Sequence, residues 1–195
     1  MMPLVYMAMR HLLRRACVAL APLTLGACFT APSPVDNPRP VTEEGYLRSR
    51  EMMVPVDGVR PNQLTDTYTA RRSGGRTHNA LDILVRRGTP VIAADAGTVR
   101  RISTNPLGGK TVYVVDNAQR FVHYYAHLDN YARGLREGQQ VRRGDLLGYV
   151  GTTGNAPANA PHLHYQLLRY RATRLWWTGD PVNPLPYLTL RGDQR

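Results

Sequence analysis

The chain has 195 residues, 43% of them hydrophobic, and a formal net charge of +11. That is enough for one globular domain with a real core plus tails, and 17 glycines and 15 prolines point to many turns between short elements. The basic excess suits nucleic acid, an anionic membrane or an acidic cell-wall polymer, but the arginines fall in scattered pairs (Arg71-Arg72, Arg86-Arg87, Arg100-Arg101, Arg142-Arg143) with no nucleic-acid recognition motif beside them. No nucleic-acid partner is expected, and the charge reads as a solvated basic surface.

In chain order, Arg10, Arg14 and Arg15 flank an apolar stretch, residues 16–25, that is too short to span a bilayer. It ends in Leu25-Gly26-Ala27-Cys28, which resembles the lipobox of bacterial lipoproteins. The resemblance implies removal of residues 1–27 as a signal peptide and lipidation of Cys28. Phe29 at the next position, in place of Asp, implies outer-membrane sorting on the periplasmic side of a Gram-negative envelope. With Cys17 removed and Cys28 acylated, no disulfide is available, so stability must come from the core and a metal. Residues 28–50 carry Pro32, Pro34, Pro38 and Pro40 among polar residues and read as an extended tether. The folded domain is expected over residues 51–190.

Within it, residues 81–85, 90–94, 97–102, 111–115, 120–125, 145–151 and 162–168 read as strands from their β-branched and aromatic content and the turn residues between them. Asn105-Pro106-Leu107-Gly108-Gly109 predicts a turn between two strands, and residues 131–135 predict a short helical turn. No long amphipathic helix and no strand–helix alternation is visible, so an antiparallel all-β fold with little helix follows. Val85-Arg86-Arg87-Gly88 and Val141-Arg142-Arg143-Gly144 each lead into a predicted strand, which hints at related hairpin units. The proline-rich stretch from Trp176 to Leu188 is expected to be neither strand nor helix, its aromatics packed on the domain.

The chemistry lies in the histidines. The segments are His78-Asn79-Ala80-Leu81-Asp82, Tyr125-Ala126-His127-Leu128 and Pro161-His162-Leu163-His164-Tyr165. Imidazole and carboxylate donors suit a catalytic zinc, with three protein ligands and an open fourth position. In a strand His162 and His164 share a face while Leu163 points to the other layer. One of the pair can bind metal and leave its neighbour free beside the substrate. The even spacing of His78 and Asp82 likewise puts both on one face of an extended segment. His123 is placed on the same strand face as His127, in a structural role.

These residues, together with Gly75-Arg76-Thr77-His78, Arg87-Gly88-Thr89-Pro90-Val91, Gly138-Gln139-Gln140-Val141 with Gly144, and Gly151-Thr152-Thr153-Gly154, resemble the lysostaphin-type zinc endopeptidases of peptidoglycan over residues 52–188. The resemblance implies a barrel-sandwich arrangement of the duplicated hybrid-motif kind. It implies one zinc per chain, held by His78, Asp82 and His164, with His127 and His162 acting on the water and the tetrahedral intermediate. It leaves open which of the two is the general base. The implied substrate is a peptide cross-link of peptidoglycan, and the implied membrane contact is through Cys28. Two positions depart from the family pattern: Ala80 stands where Gly is common, and Gln166 where an acid is often found. Two rivals remain: a catalytically inactive family member that activates an amidase, and a non-enzymatic wall-binding lipoprotein.

Overall fold

The computed structural model describes residues 41–190; the expected signal peptide, Cys28 and most of the expected tether lie outside them. The first element corrects the tether boundary. Residues Glu43–Ser49 form a helix, α1, whose N-cap Thr42 accepts a hydrogen bond from Gly45 N at 3.0 Å. Glu43 and Glu44 sit in its first turn and Arg48 in its last, the charge order a helix dipole favours. Leu47 is buried in the core. Three side-chain contacts fasten the helix to the β-domain: Glu43 with Arg169 at 2.7 Å, the Tyr46 hydroxyl donating to Asp116 at 2.5 Å, and, just past its end, Arg50 with Asp95 at 2.7 Å. The proline-rich composition stops at Pro40, and the cap and acidic turn that follow are a helix start within the stretch read as tether.

Eleven strands follow among the described residues: β1 Met52–Met53, β2 Leu81–Leu84, β3 Pro90–Ile92, β4 Gly97–Asn105, β5 Gly109–Asp116, β6 Phe121–Tyr131, β7 Gln140–Val141, β8 Leu146–Val150, β9 His162–Arg169, β10 Pro181–Val182 and β11 Leu188–Thr189. Nine join one antiparallel network in the order β10-β9-β6-β5-β4-β7, with β2 added on β9, and β8 joining β3 to β6. The short β1 and β11 pair in parallel. All seven strands expected from sequence are present and the antiparallel all-β fold is observed. The expected helical turn over 131–135 is instead the end of β6 and a plain turn. The C-terminal stretch holds two-residue strands and a 3₁₀ turn, Leu185–Tyr187, where neither strand nor helix was expected. The two Val-Arg-Arg-Gly leads feed β3 and β8, which pair with each other. Gly88 N donates to Val150 O and Gly144 N to Ala93 O, both at 2.8 Å, so each lead latches onto the other unit's strand.

Cross-strand partners in an antiparallel pair share a face, and this sorts the sheet. Tyr125 opposes Tyr165, His123 opposes Leu167, and Leu163 opposes Ile83; all these are buried. They form the core side together with Val91, Val112, Val114 and Leu147. Tyr124 opposes Gln166, Ala126 opposes His164, and His164 opposes Asp82. These form the outer side, on which the chemistry sits. Buried phenols and imidazole find partners: the Tyr125 hydroxyl accepts from Ala94 N at 3.0 Å, and His123 Nδ1 and the Tyr165 hydroxyl lie 2.8 Å apart.

Candidate metal centre

Strand alternation delivers Asp82 from β2 and His164 from β9 side by side, as their pairing requires. His78 arrives differently. It precedes β2, in a segment whose N–H groups reach back to residues 68–70: His78 N donates to Ala70 O at 2.9 Å and Asn79 N to Tyr68 O at 2.8 Å. Asn79 has φ 57°, which ends any regular alternation, so the extended-face argument for His78 and Asp82 fails although both residues reach the same point. Ala80, next to this twist, is fully buried and not in the left-handed region, so its methyl is accommodated.

The donor atoms converge. His78 Nε2 lies 3.0 Å from Asp82 Oδ1, His164 Nδ1 lies 2.9 Å from the same oxygen, and the two imidazole nitrogens are 3.1 Å apart. A tetrahedral ion with bonds of about 2.1 Å sets its ligands about 3.4 Å apart. The triad therefore needs to open by only a few tenths of an ångström to hold one. His78 Nδ1 donates to the Thr67 carbonyl at 2.9 Å, which leaves Nε2 as a lone pair facing the other two donors. Burial alone would raise the Asp82 carboxyl, but the adjoining His164 and His78 imidazoles overcome it and hold the group far below the usual carboxylate range. Burial lowers His164, partly offset by Asp82. A carboxylate held ionised, beside a His164 that burial disfavours in its charged form, suits the binding of a divalent metal.

The two further histidines lie beside this triad. The rings of His127 and His162 are 4.9 Å apart, and His127 is 5.6 Å from His164. Nδ1 of His127 donates to Thr153 O and Nδ1 of His162 to Ala160 O, each at 2.8 Å. A carbonyl only accepts, so both imidazoles present Nε2 as an acceptor. Burial first, then the neighbouring His164 and His162, push His127 down to about 4 against the opposing bond from Thr153.

His127 corrects the sequence reading. By alternation it belongs with His123 and Tyr125 on the core side. At His127 the register of β6 shifts against β5, φ is 60°, and β6 changes its partner from β9 to β8. His127 N donates to Gly108 O at 2.7 Å. The irregularity turns the ring from the core to the outer side, while His123 stays wholly buried and is lowered by that burial. His123 and His127 do not share a face.

A groove of about 480 Å³ opens onto the triad; among its lining residues are Arg72, Tyr124, Asn155 and Gln166. Arg71 and Tyr68 build the loop behind His78 through the Arg71–Thr77 bridge and the Tyr68 carbonyl. Sequence reasoning missed Arg72, whose Nη2 hydrogen-bonds the outer oxygen of Asp82, and the carbonyls of Thr67 and Thr153, which no side-chain pattern could reveal. Gln166 donates to Asn79 O at 3.0 Å, a bond an ionised acid there could not make.

Comparison with known proteins agrees with this geometry. The pattern of peptidase family M23 matches residues 76–184. The L-Ala--D-Glu endopeptidase of Bacillus subtilis (strain 168) is 36% identical over 118 residues, 57% of this chain and 36% of that protein. A lipoprotein NlpD/LppB homolog of Pseudomonas aeruginosa is 32% identical over 119 residues, 61% of this chain and 36% of that protein. The matched stretch thus spans about a third of either relative. A zinc containing peptidase from Vibrio cholerae superposes with a TM-score of 0.56 at 27% identity, covering 70% of this chain and 40% of that one.

Proposed function

The chain belongs to peptidase family M23, and from that premise we propose that it is a zinc-dependent endopeptidase that hydrolyses peptide cross-links of peptidoglycan. The observation that carries the proposal is the meeting of His78, Asp82 and His164, whose donor atoms all lie within 4.8 Å of one another. These three residues would hold the ion: His78 through Nε2, His164 through Nδ1, and Asp82 through Oδ1, whose charge would partly offset that of the metal. When bound, zinc supplies Lewis acidity, making a water acidic enough to lose its proton near neutral pH and polarising the scissile carbonyl.

The rest of the chemistry belongs to His127 and His162. Both offer Nε2 as a lone pair and both are anchored through Nδ1 to a backbone carbonyl, so either accepts a proton without turning. Once protonated, the same nitrogen is a donor aimed into the groove, able to stabilise an oxyanion or return the proton to the leaving amine. An inactive relative would be expected to lack one or more of these five side chains, and this chain has them all.

The lipobox-like Leu25-Gly26-Ala27-Cys28, and the lipoprotein named among the relatives, support a lipid-anchored envelope protein attached through Cys28 to the outer membrane and facing the periplasm. The domain division we propose is a signal peptide over 1–27, a tether ending near residue 42, and the peptidase domain to residue 190. The test is a pair of variants. His164→Ala is expected to lose zinc and cleavage together, whereas His162→Ala keeps about one zinc per chain and loses roughly 10²-fold or more in turnover. Undiminished digestion of purified murein by both would refute the assignment.

A further inference from the structure

Beyond the metal centre, one row of side chains crosses the outer side of the sheet. Arg101 on β4 opposes Tyr113 on β5, Tyr113 opposes Tyr124 on β6, and Tyr124 opposes Gln166 on β9. The Tyr113 and Tyr124 rings touch at 4.6 Å. The far end of the row is roofed by Trp177, over whose ring the Arg101 guanidinium lies at 4.6 Å. Together these residues line a second groove of about 390 Å³, which shares Leu107, Tyr124 and Gln166 with the groove over the triad. The two grooves are therefore adjacent.

Arg101 forms no ion pair with any described residue, and its guanidinium lies over the face of the Trp177 ring, with Tyr113 beside it. Stacking fixes the plane of a guanidinium and leaves its N–H edge pointing outward, the arrangement that grips a carboxylate with two hydrogen bonds. We propose that this groove is a second substrate subsite, in which Arg101, held flat by Trp177, binds a free carboxylate of the peptide being cut. The proposal rests on the peptidase reading above and adds what the enzyme selects. A sugar ring is the weaker occupant, because the Trp177 face it would need is covered by Arg101 and Trp176 stands against that ring at 5.4 Å. Three strand spacings separate β4 from β9, and His164 lies two residues along β9 from Gln166. The carboxylate then sits roughly 15 Å from the metal triad, which an extended peptide spans in about four or five residues. A peptide bearing a free acid at that distance from the scissile bond is the chemical class the groove fits.

The chain contains two tryptophans; Trp177 lines this groove and Trp176 packs against Trp177 at 5.4 Å, so intrinsic fluorescence of the zinc-loaded full chain reports on the groove. The probe is a synthetic cross-linked muropeptide with free terminal carboxylates, compared with the same peptide carboxamidated. The free acid is expected to change the fluorescence and bind about tenfold more tightly than the amide. Arg101→Gln should abolish that preference, and Arg101→Lys, which keeps charge without the planar edge, should restore only part of it. KM, rather than kcat, should carry the same preference in cleavage assays. Equal binding of acid and amide, or a preference that survives Arg101→Gln, overturns the subsite; so does binding that depends on Trp177 and sugar alone. A chain that binds the acid selectively but cleaves neither peptide would refute the peptidase reading while leaving the subsite standing.

Discussion

The position of His127 depends on a glycine eighteen residues upstream. Gly109 has φ 63°, and a methyl there would lie 2.2 Å from Thr153 Oγ1, 2.3 Å from Thr153 C and 2.5 Å from Gly154 N. Ordinary contacts begin near 3.4 Å, so in Gly109→Ala the 153–154 backbone must retreat by about 1 Å. That backbone carries the carbonyl holding His127 Nδ1, and the neighbouring Gly108 carbonyl holds His127 N. The left-handed conformation costs roughly 1–2 kcal/mol for a residue with a Cβ and overpacking roughly 1–3 kcal/mol, so destabilisation of about 2–5 kcal/mol is expected. Gly134→Ala is the control, since φ there is 79° and nothing lies within 4 Å; it should show the conformational cost alone. None of the three metal donors contacts Gly109, so zinc stoichiometry by atomic emission should stay near one per chain. Turnover on purified muropeptides should fall on the order of 10²-fold, the usual cost of a 1 Å misplacement. A folded Gly109→Ala protein that turns over within a few-fold of wild type would refute the claim that the Thr153 carbonyl positions His127.

Arg72→Gln removes the hydrogen bond to the outer oxygen of Asp82; zinc affinity, measured by competition with a chromogenic chelator, should weaken at least tenfold with the circular dichroism spectrum unchanged. His123 is buried neutral with its pKa lowered, so the unfolded chain takes up a proton that the folded one refuses. Stability should therefore be full above about pH 6.5 and fall below it. In metal-free protein, His123→Gln should flatten that acid branch of the melting curve between pH 7 and 5. Cys28→Ala should move the protein from the membrane to the soluble fraction, and continued tight anchoring would reject the lipid attachment.

The sequence was most legible where the backbone is regular. His162, His164 and Asp82 sit on strands whose alternation is unbroken, and parity alone places them together. His78 and His127 each neighbour or occupy a left-handed residue, Asn79 at φ 57° and His127 itself at φ 60°. Parity arguments fail at such points, and only the resemblance carried these two residues to the site. The side chains of Arg72 and Trp177 gain their roles from partners 10 and 76 positions away in the chain, which no local pattern encodes. Helix α1 was hidden for another reason: seven residues give too short a period to see, and its stability comes from Leu47 and from the Glu43, Tyr46 and Arg50 contacts rather than from propensity.

That helix also sets a leash. On the proposed attachment through Cys28, the residues between it and Thr42 can span no more than roughly 50 Å. Had the folded body begun only after residue 50, that upper bound would have been roughly 80 Å. Under that proposal the metal site reaches only the stratum of wall nearest the lipid bilayer, and residues inserted between Cys28 and Thr42 would deepen the zone within reach without touching any side chain of the site.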